Sequence, residues 1–191
     1  MKTIFLSASV PLEERDPKYF GTADVIAIRD AVRALATVVV PNGRLVWGGH
    51  PAITPLIHYV LRRMDADVKK HVTLYQSTFF EKFFPPENKW FEKVVIVPRN
   101  VDRDSSLLDM RNKMFADHRF SAGVFIGGME GVEDEFKLFR KFHPNAKVLP
   151  VASTGAAARF VYDRMEGDAD SRLLNDYAYM ALFSDLLDLN N

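Results

Sequence analysis

Cysteine is absent from all 191 residues, which excludes disulfides, thiolate zinc sites and cysteine nucleophiles. A surplus of either charge is missing too: 25 lysines and arginines balance 25 aspartates and glutamates. No global basic field therefore draws the chain to nucleic acid or to an anionic membrane, and neither is expected as a partner. Local anion sites stay open, because a phosphate needs only one or two cations and a few backbone N–H groups. No apolar run approaches the roughly 20 residues of a bilayer span, and the apolar stretch within Met1–Pro11 is too short for a signal peptide. His58, His71, His118 and His143 have no metal-ligand spacing, and His-Glu-x-x-His does not occur. Neither a metal nor an organic cofactor is expected, and a cytoplasmic setting suits the composition.

The chain is 48% hydrophobic and 26% charged, the balance of a soluble globular protein of one-domain size. Short apolar runs alternate with longer stretches of helical periodicity. The strands expected are Thr3–Ala8, Leu45–Trp47, Val72–Tyr75, Val94–Val97, Gly123–Ile126 and Val148–Val151. Helices are expected over Thr22–Val39, from Pro51 to about Ala66, and over Leu107–Ala116, Val132–Phe142 and Gly155–Met165. This alternation predicts an α/β fold, a Rossmann-like three-layer sandwich with a mostly parallel central sheet. A single domain over residues 1–191 is expected, with a C-terminal helix over 171–189 packed on it or serving as a dimer arm. The stretch Gln76–Phe91 carries six aromatics around Pro85-Pro86. It reads as an irregular connection at the core edge, with a lid or an oligomer contact as the alternative.

In parallel sheets, ligands gather outside the carboxyl ends of the strands. The loops after Ala8, Trp47, Ile126 and Val151 are thus the ones to inspect. Gly48-Gly49-His50-Pro51 is expected to open a helix, where glycines admit a ligand and free N–H groups attract an anion. Ser153-Thr154-Gly155 offers two hydroxyls beside small residues at another helix start, and Gly127-Gly128 leads through Glu130, Gly131 and Val132 to Glu135. The first loop, beginning at Ser7, lacks the Gly-x-Gly-x-x-Gly of dinucleotide dehydrogenases, so a classical NAD-dependent oxidoreductase is not expected. The acidic residues Glu133 and Asp134 read as favourable company for a helix N-terminus.

The run Asp109-Met110-Arg111-Asn112-Lys113-Met114, then Phe125-Ile126-Gly127-Gly128, then Gly131 through Glu135, resembles the signature of the LOG family. There a helix bearing Met-x-x-Arg-Lys precedes a strand ending Pro-Gly-Gly-x-Gly-Thr-x-x-Glu. The resemblance spans roughly Leu45 to Val161 and implies a place in the wider SLOG superfamily, which includes DprA-like and TRPM-channel-associated domains. Its members bind nucleotides, nucleic acid or nucleotide-derived signals, and some act in bacterial defence. LOG enzymes cleave nucleoside monophosphates to base and ribose phosphate. By that likeness Arg111 and Glu135 are the catalytic candidates. Ser7, Gly48, Gly49, His50, Gly127, Gly128, Glu130, Gly131, Val132, Ser153, Thr154 and Gly155 are the ligand-binding candidates. The chain departs from the LOG pattern at Ile126, in place of proline, at Val132, in place of threonine, and by one inserted residue before Gly131.

Three functional expectations follow. The first is a domain that binds or senses a nucleotide-like small molecule, in a signalling or defence setting. The second is a nucleotide N-glycosidase, in which a carboxylate at Glu135 stabilises an oxocarbenium-like sugar and Arg111 orients it or holds phosphate. The third is a protein-interaction module whose site has been lost. A homodimer built through helices beside the site would leave the first two open.

Overall fold

The first strand, β1 (Thr3–Ser9), alternates its side chains between two cores, as the two-residue period of a strand requires. The computed structural model describes residues 1–189, so the last two residues of the expected span lie outside the described residues. Ile4 and Leu6 face one core, and Phe5 faces the other. The short α1 (Pro17–Phe20) and the long α2 (Val25–Asn42) follow, α2 starting where the Asp24 carboxylate accepts the Ala27 N–H at 2.9 Å.

Next come β2 (Arg44–Gly48), α3 (Thr54–Leu61), α4 (Ala66–Lys69), β3 (Val72–Ser77) and β4 (Val94–Val97). Two 3-10 turns, Thr78–Phe83 and Pro86–Trp90, fill the gap between β3 and β4. The second half holds α5 (Arg103–Asp117), β5 (Ala122–Gly127), α6 (Glu130–Phe142), β6 (Lys147–Val151), α7 (Ala156–Arg164) and α8 (Tyr179–Leu187).

The six strands form one sheet in the order β4-β3-β2-β1-β5-β6, with every neighbouring pair parallel. The expected three-layer α/β architecture is present, and the sheet is wholly rather than mostly parallel. Helices α2, α3 and α8 cover one face and α5, α6 and α7 the other. The second core is built on Phe5, whose ring meets Phe115 of α5 edge-on at 4.9 Å and stacks on Phe139 of α6 at 5.6 Å. Truncating so enclosed a ring costs about 3–5 kcal/mol.

Strands β1 to β4 are laid down in one direction, and the chain then crosses to place β5 on the other side of β1. The switch point of the topology therefore lies between β1 and β5.

Two expected helices are corrected. The helix expected from Pro51 begins three residues later, at Thr54, with Pro51 left in a turn, and it stops at Leu61. The expected 171–189 helix is a 3-10 turn, Ser171–Leu174, followed by α8, because Asn175 and Asp176 bend back onto the Arg172 carbonyl. The buried side of α8 packs against α2 through residues such as Leu182 and Phe183.

Candidate functional site

Ser7 shares the inner face of β1 with Phe5, and Glu135 lies one helical turn before Phe139 on α6. Since Phe5 stacks on Phe139, Ser7 is brought to Glu135, and its hydroxyl donates to Glu135 Oε2 at 2.5 Å. Arg111 stands in the same relation to Phe115 on α5. Its Nε donates to Glu135 Oε1 at 3.0 Å and its Nη2 to the Gly131 carbonyl at 3.1 Å. The two ionic side chains are only 11% and 14% exposed, so their mutual pairing is what makes their burial tolerable. Ring packing deeper in the core thus sets the position of the charged groups at the sheet edge.

Gly127 and Gly128 turn the chain out of β5 at φ of 54° and 85°, in the left-handed region that favours glycine. A Cβ on Gly127 would lie 2.4 Å from Ile28, and one on Gly128 would lie 2.2 Å from Val132. The turn delivers Met129 as the N-cap of α6, and this residue gives no side-chain capping bond. The Val132 N–H turns back to the Met129 carbonyl at 2.9 Å, which leaves the Glu130 and Gly131 amides as the helix's first donors without an intrahelical acceptor.

A cavity of about 580 Å³ opens at this edge, over the ends of β1, β2 and β3 and the start of α6. Its lining includes Ser9, Gly48 and Gly49 from the strand ends and Arg111, Glu130, Gly131, Val132 and Glu135 from α5 and α6. Phe80, Phe83, Phe84 and Pro85 from the β3–β4 connection form an aromatic wall. The same connection sends Phe91 inward onto Trp47, ring centroids 5.2 Å apart, so it serves both as core edge and as cavity wall.

Arg15, from the β1–α1 loop, and Arg103, in the first turn of α5, also line the cavity, and both approach Glu130. Three arginines against two carboxylates leave the cavity with one net positive charge. His50 is also in the lining. Burial, with help from the neighbouring Arg15 guanidinium, holds it down at about 4. Its Nδ1 accepts the Ala52 N–H at 3.2 Å, so the neutral ring carries its proton on Nε2 as a donor.

Gln76, the penultimate residue of β3, is 4% exposed and borders the cavity beside Gly49. Among the described residues its amide has no hydrogen-bond partner, and the same holds for the Ser9 hydroxyl.

A family comparison places the chain: the SLOG cluster3 family matches residues 18–187. The chain belongs to the SLOG cluster3 family. No curated protein and no solved structure gives a significant match. The SLOG cluster3 match runs from α1 to α8 and takes in every candidate residue except Ser7.

Within this SLOG cluster3 chain, the candidates divide into three groups. Gly48, Gly49, His50, Arg111, Glu130, Gly131, Val132 and Glu135 meet at the cavity. Ser7 backs Glu135 from below, and Gly127 and Gly128 shape the turn behind it. Ser153, Thr154 and Gly155 are outside the cavity lining and their polar groups are taken up within the protein. The Thr154 hydroxyl accepts the Gly127 N–H at 2.8 Å and donates to the Val151 carbonyl at 2.6 Å. Ser153 bonds Tyr179 at 3.0 Å and the Asp176 carbonyl at 3.2 Å, and Gly155 passes hard against the Thr22 carbonyl. This loop braces β5, β6 and α8 together. Glu133 has a similar bracing role, bonded to the Tyr19 hydroxyl and to Arg164.

The sequence reading did not single out Ser9, Arg15, Gln76 or Arg103. For Gln76 a signal existed, a polar residue at the carboxyl end of a parallel strand. For Arg103 the signal was Asp102-x-x-Ser105, a capping box that starts α5 four residues before its first apolar residue, Leu107. Among the described residues, no three histidine, aspartate or glutamate side chains form a group able to hold a metal. No described helix is long and apolar enough to cross a membrane.

Proposed function

We propose that this domain binds a nucleotide or nucleotide-derived small molecule in the cavity at the β1–β5 switch point. The observation that carries the reading is the division of the cavity into two chemistries. One wall is aromatic, from Phe80, Phe83 and Phe84, and suits a planar base. The other combines Arg15, Arg103 and the uncapped start of α6, and suits a phosphate. Ser9, Gln76 and His50 also line the cavity and supply polar groups for sugar or base edges. The volume falls within the roughly 300–1,000 Å³ of small-molecule sites. Membership of the SLOG cluster3 family supports the same ligand class.

Calorimetry or thermal-shift measurement with nucleoside monophosphates, NAD, ADP-ribose and cyclic ADP-ribose forms tests the proposal. Saturable binding of one or more is expected, and failure of all of them overturns it.

One observation favours a second reading, hydrolysis of an N-glycosidic bond. Glu135 reaches the cavity with both oxygens held, one by Arg111 and one by Ser7. A carboxylate fixed in this way can stabilise the positive charge that develops on a sugar as base departs and water adds. Chromatography of AMP or NAD reaction mixtures for free base is the direct test, with Glu135→Gln as the control. Base release that survives this substitution unchanged rules out the assignment. The open cavity gives no support to the expectation of an interaction module with a collapsed site.

A further inference from the structure

We infer that Gln76 reads the nucleobase, pairing its amide with a base edge that carries a hydrogen-bond donor beside an acceptor. The inference rests on the nucleotide reading above and adds to it the part of the ligand that is discriminated.

Gln76 is 4% exposed as a residue and lines the cavity, yet its amide has no partner among the described residues. Burying a polar group without a hydrogen bond is costly, so a side chain kept this way points to a partner that arrives with the ligand. Its position is also built in. A Cβ on Gly49 would lie 1.9 Å from Gln76 Nε2 and 2.4 Å from Cδ. The amide therefore occupies room that exists only because position 49 is glycine. Gly49, just after β2, has an assignable purpose here: it seats Gln76 at the cavity.

The chemistry of the amide selects among parts of a nucleotide. It is neutral and offers an NH₂ donor and a carbonyl acceptor side by side. A phosphate could use only the donor half and would meet the carbonyl lone pairs. The cations that suit a phosphate lie elsewhere in the lining: Arg15 pairs with Glu130, and Arg103 with Asp104 at 3.0 Å and more loosely with Glu130 at 3.9 Å. A base edge satisfies both halves in one plane, as glutamine does with adenine in other settings. Phe80 and Phe84 in the same cavity supply aromatic surface for the base plane. The amide can turn over, so amidine and imide edges both fit. The base panel decides between them.

The test is calorimetry of the wild-type protein, Gln76→Leu and Gly49→Ala with AMP, GMP, UMP, CMP and ribose 5-phosphate. The wild type is expected to prefer one base by about tenfold over the least favoured. Gln76→Leu is expected to compress that preference to about threefold or less while ribose 5-phosphate binding holds. Gly49→Ala, whose new methyl displaces the amide, is expected to do the same. Base preference unchanged in Gln76→Leu overturns the inference, and so does a parallel loss of ribose 5-phosphate, which would place the amide at the sugar. If either variant fails to fold, side-chain amide NMR of the wild type decides. The Gln76 NH₂ signals should shift with the preferred nucleotide and not with ribose 5-phosphate, and the reverse result overturns the assignment. Nucleotide binding without Gln76 dependence removes this inference alone. Absence of all binding removes the nucleotide reading and this inference with it.

Discussion

Arg111 and Glu135 come from different helices and meet at 3.0 Å with little of either side chain open to solvent. Such a pair is weak in net stability but expensive to break on one side only. Arg111→Met is expected to destabilise the fold by about 3 kcal/mol, because it leaves a largely buried carboxylate with Ser7 as its one remaining side-chain partner among the described residues. Arg111→Met with Glu135→Leu should recover most of that loss, to within about 1 kcal/mol of wild type. The Ser7 hydroxyl, left without its acceptor, accounts for the remainder. Urea denaturation of the two single variants and the double variant measures the coupling, and additive losses would show that the pair is not energetically linked.

His50 sets a pH dependence whose sign is fixed by its environment. Its folded-state value is lowered to about 4 by burial and by Arg15, against an ordinary 6.5 in the unfolded chain. Between those values the unfolded chain takes up a proton that the folded one refuses. The stability contributed by the neutral ring is therefore complete above pH 6.5 and is lost as pH falls toward 4. The loss is on the order of 2 kcal/mol. Burial also lowers His118 and His143, so the wild-type acid slope has several contributors. The difference between wild type and His50→Gln isolates one of them. Chemical denaturation at pH 7.0 and at about pH 4.5 should show His50→Gln losing less than wild type on acidification.

Two glycines with positive φ separate backbone strain from collision. At Gly155, φ is 70° and a Cβ would lie 1.8 Å from the Thr22 carbonyl oxygen, a backbone atom that cannot swing away. At Gly167, φ is 98° and nothing lies within 4 Å. Gly167→Ala should cost about 1 kcal/mol, the price of the left-handed conformation alone. Gly155→Ala should cost at least about 3 kcal/mol, since the collision adds to the strain. Thermal melts of the two variants provide the comparison, and equal shifts would mean that the 155 loop yields freely.

The layered fold was legible because its determinants are local. The apolar run Ile4-Phe5-Leu6, the alternation of strands with helical periods, and the β4 limits Val94–Val97 all carry through to the structure. The Arg111 and Glu135 candidates came from the order of motifs along the chain. Their contact depends on Phe115 and Phe139 converging on Phe5, and no local pattern states that. Gln76 was hidden because the apolar run ends at Tyr75 while the ladder to β4 continues through Gln76 and Ser77. Arg103 was hidden because the first turn of α5 has no apolar residue to set the period. Ser153-Thr154-Gly155 looked like a ligand loop because small residues serve a phosphate and a tight helix–strand packing equally well. Here Thr154 joins the ends of β5 and β6, and Gly155 clears Thr22.

Glu130 stands between Arg15 and Arg103 at the mouth of α6, bonded to the first and 3.9 Å from the second. All three side chains are 41–47% exposed, so these ion pairs are worth little individually and can be exchanged for a better anion. An arriving phosphate would compete with the Glu130 carboxylate for the two guanidinium groups. Glu130→Gln removes that competitor and keeps the size of the side chain. It is expected to raise affinity for a phosphate-bearing nucleotide about two- to fivefold and to leave the uncharged nucleoside unaffected. Arg15→Ala and Arg103→Ala should each lower nucleotide affinity about fivefold, and the loss should shrink as salt rises. Titration calorimetry with nucleotide and matching nucleoside at two ionic strengths measures all three effects. If Glu130→Gln instead weakens nucleotide and nucleoside alike, the carboxylate contacts the sugar directly, and Glu130 is a ligand rather than a gate on the arginines.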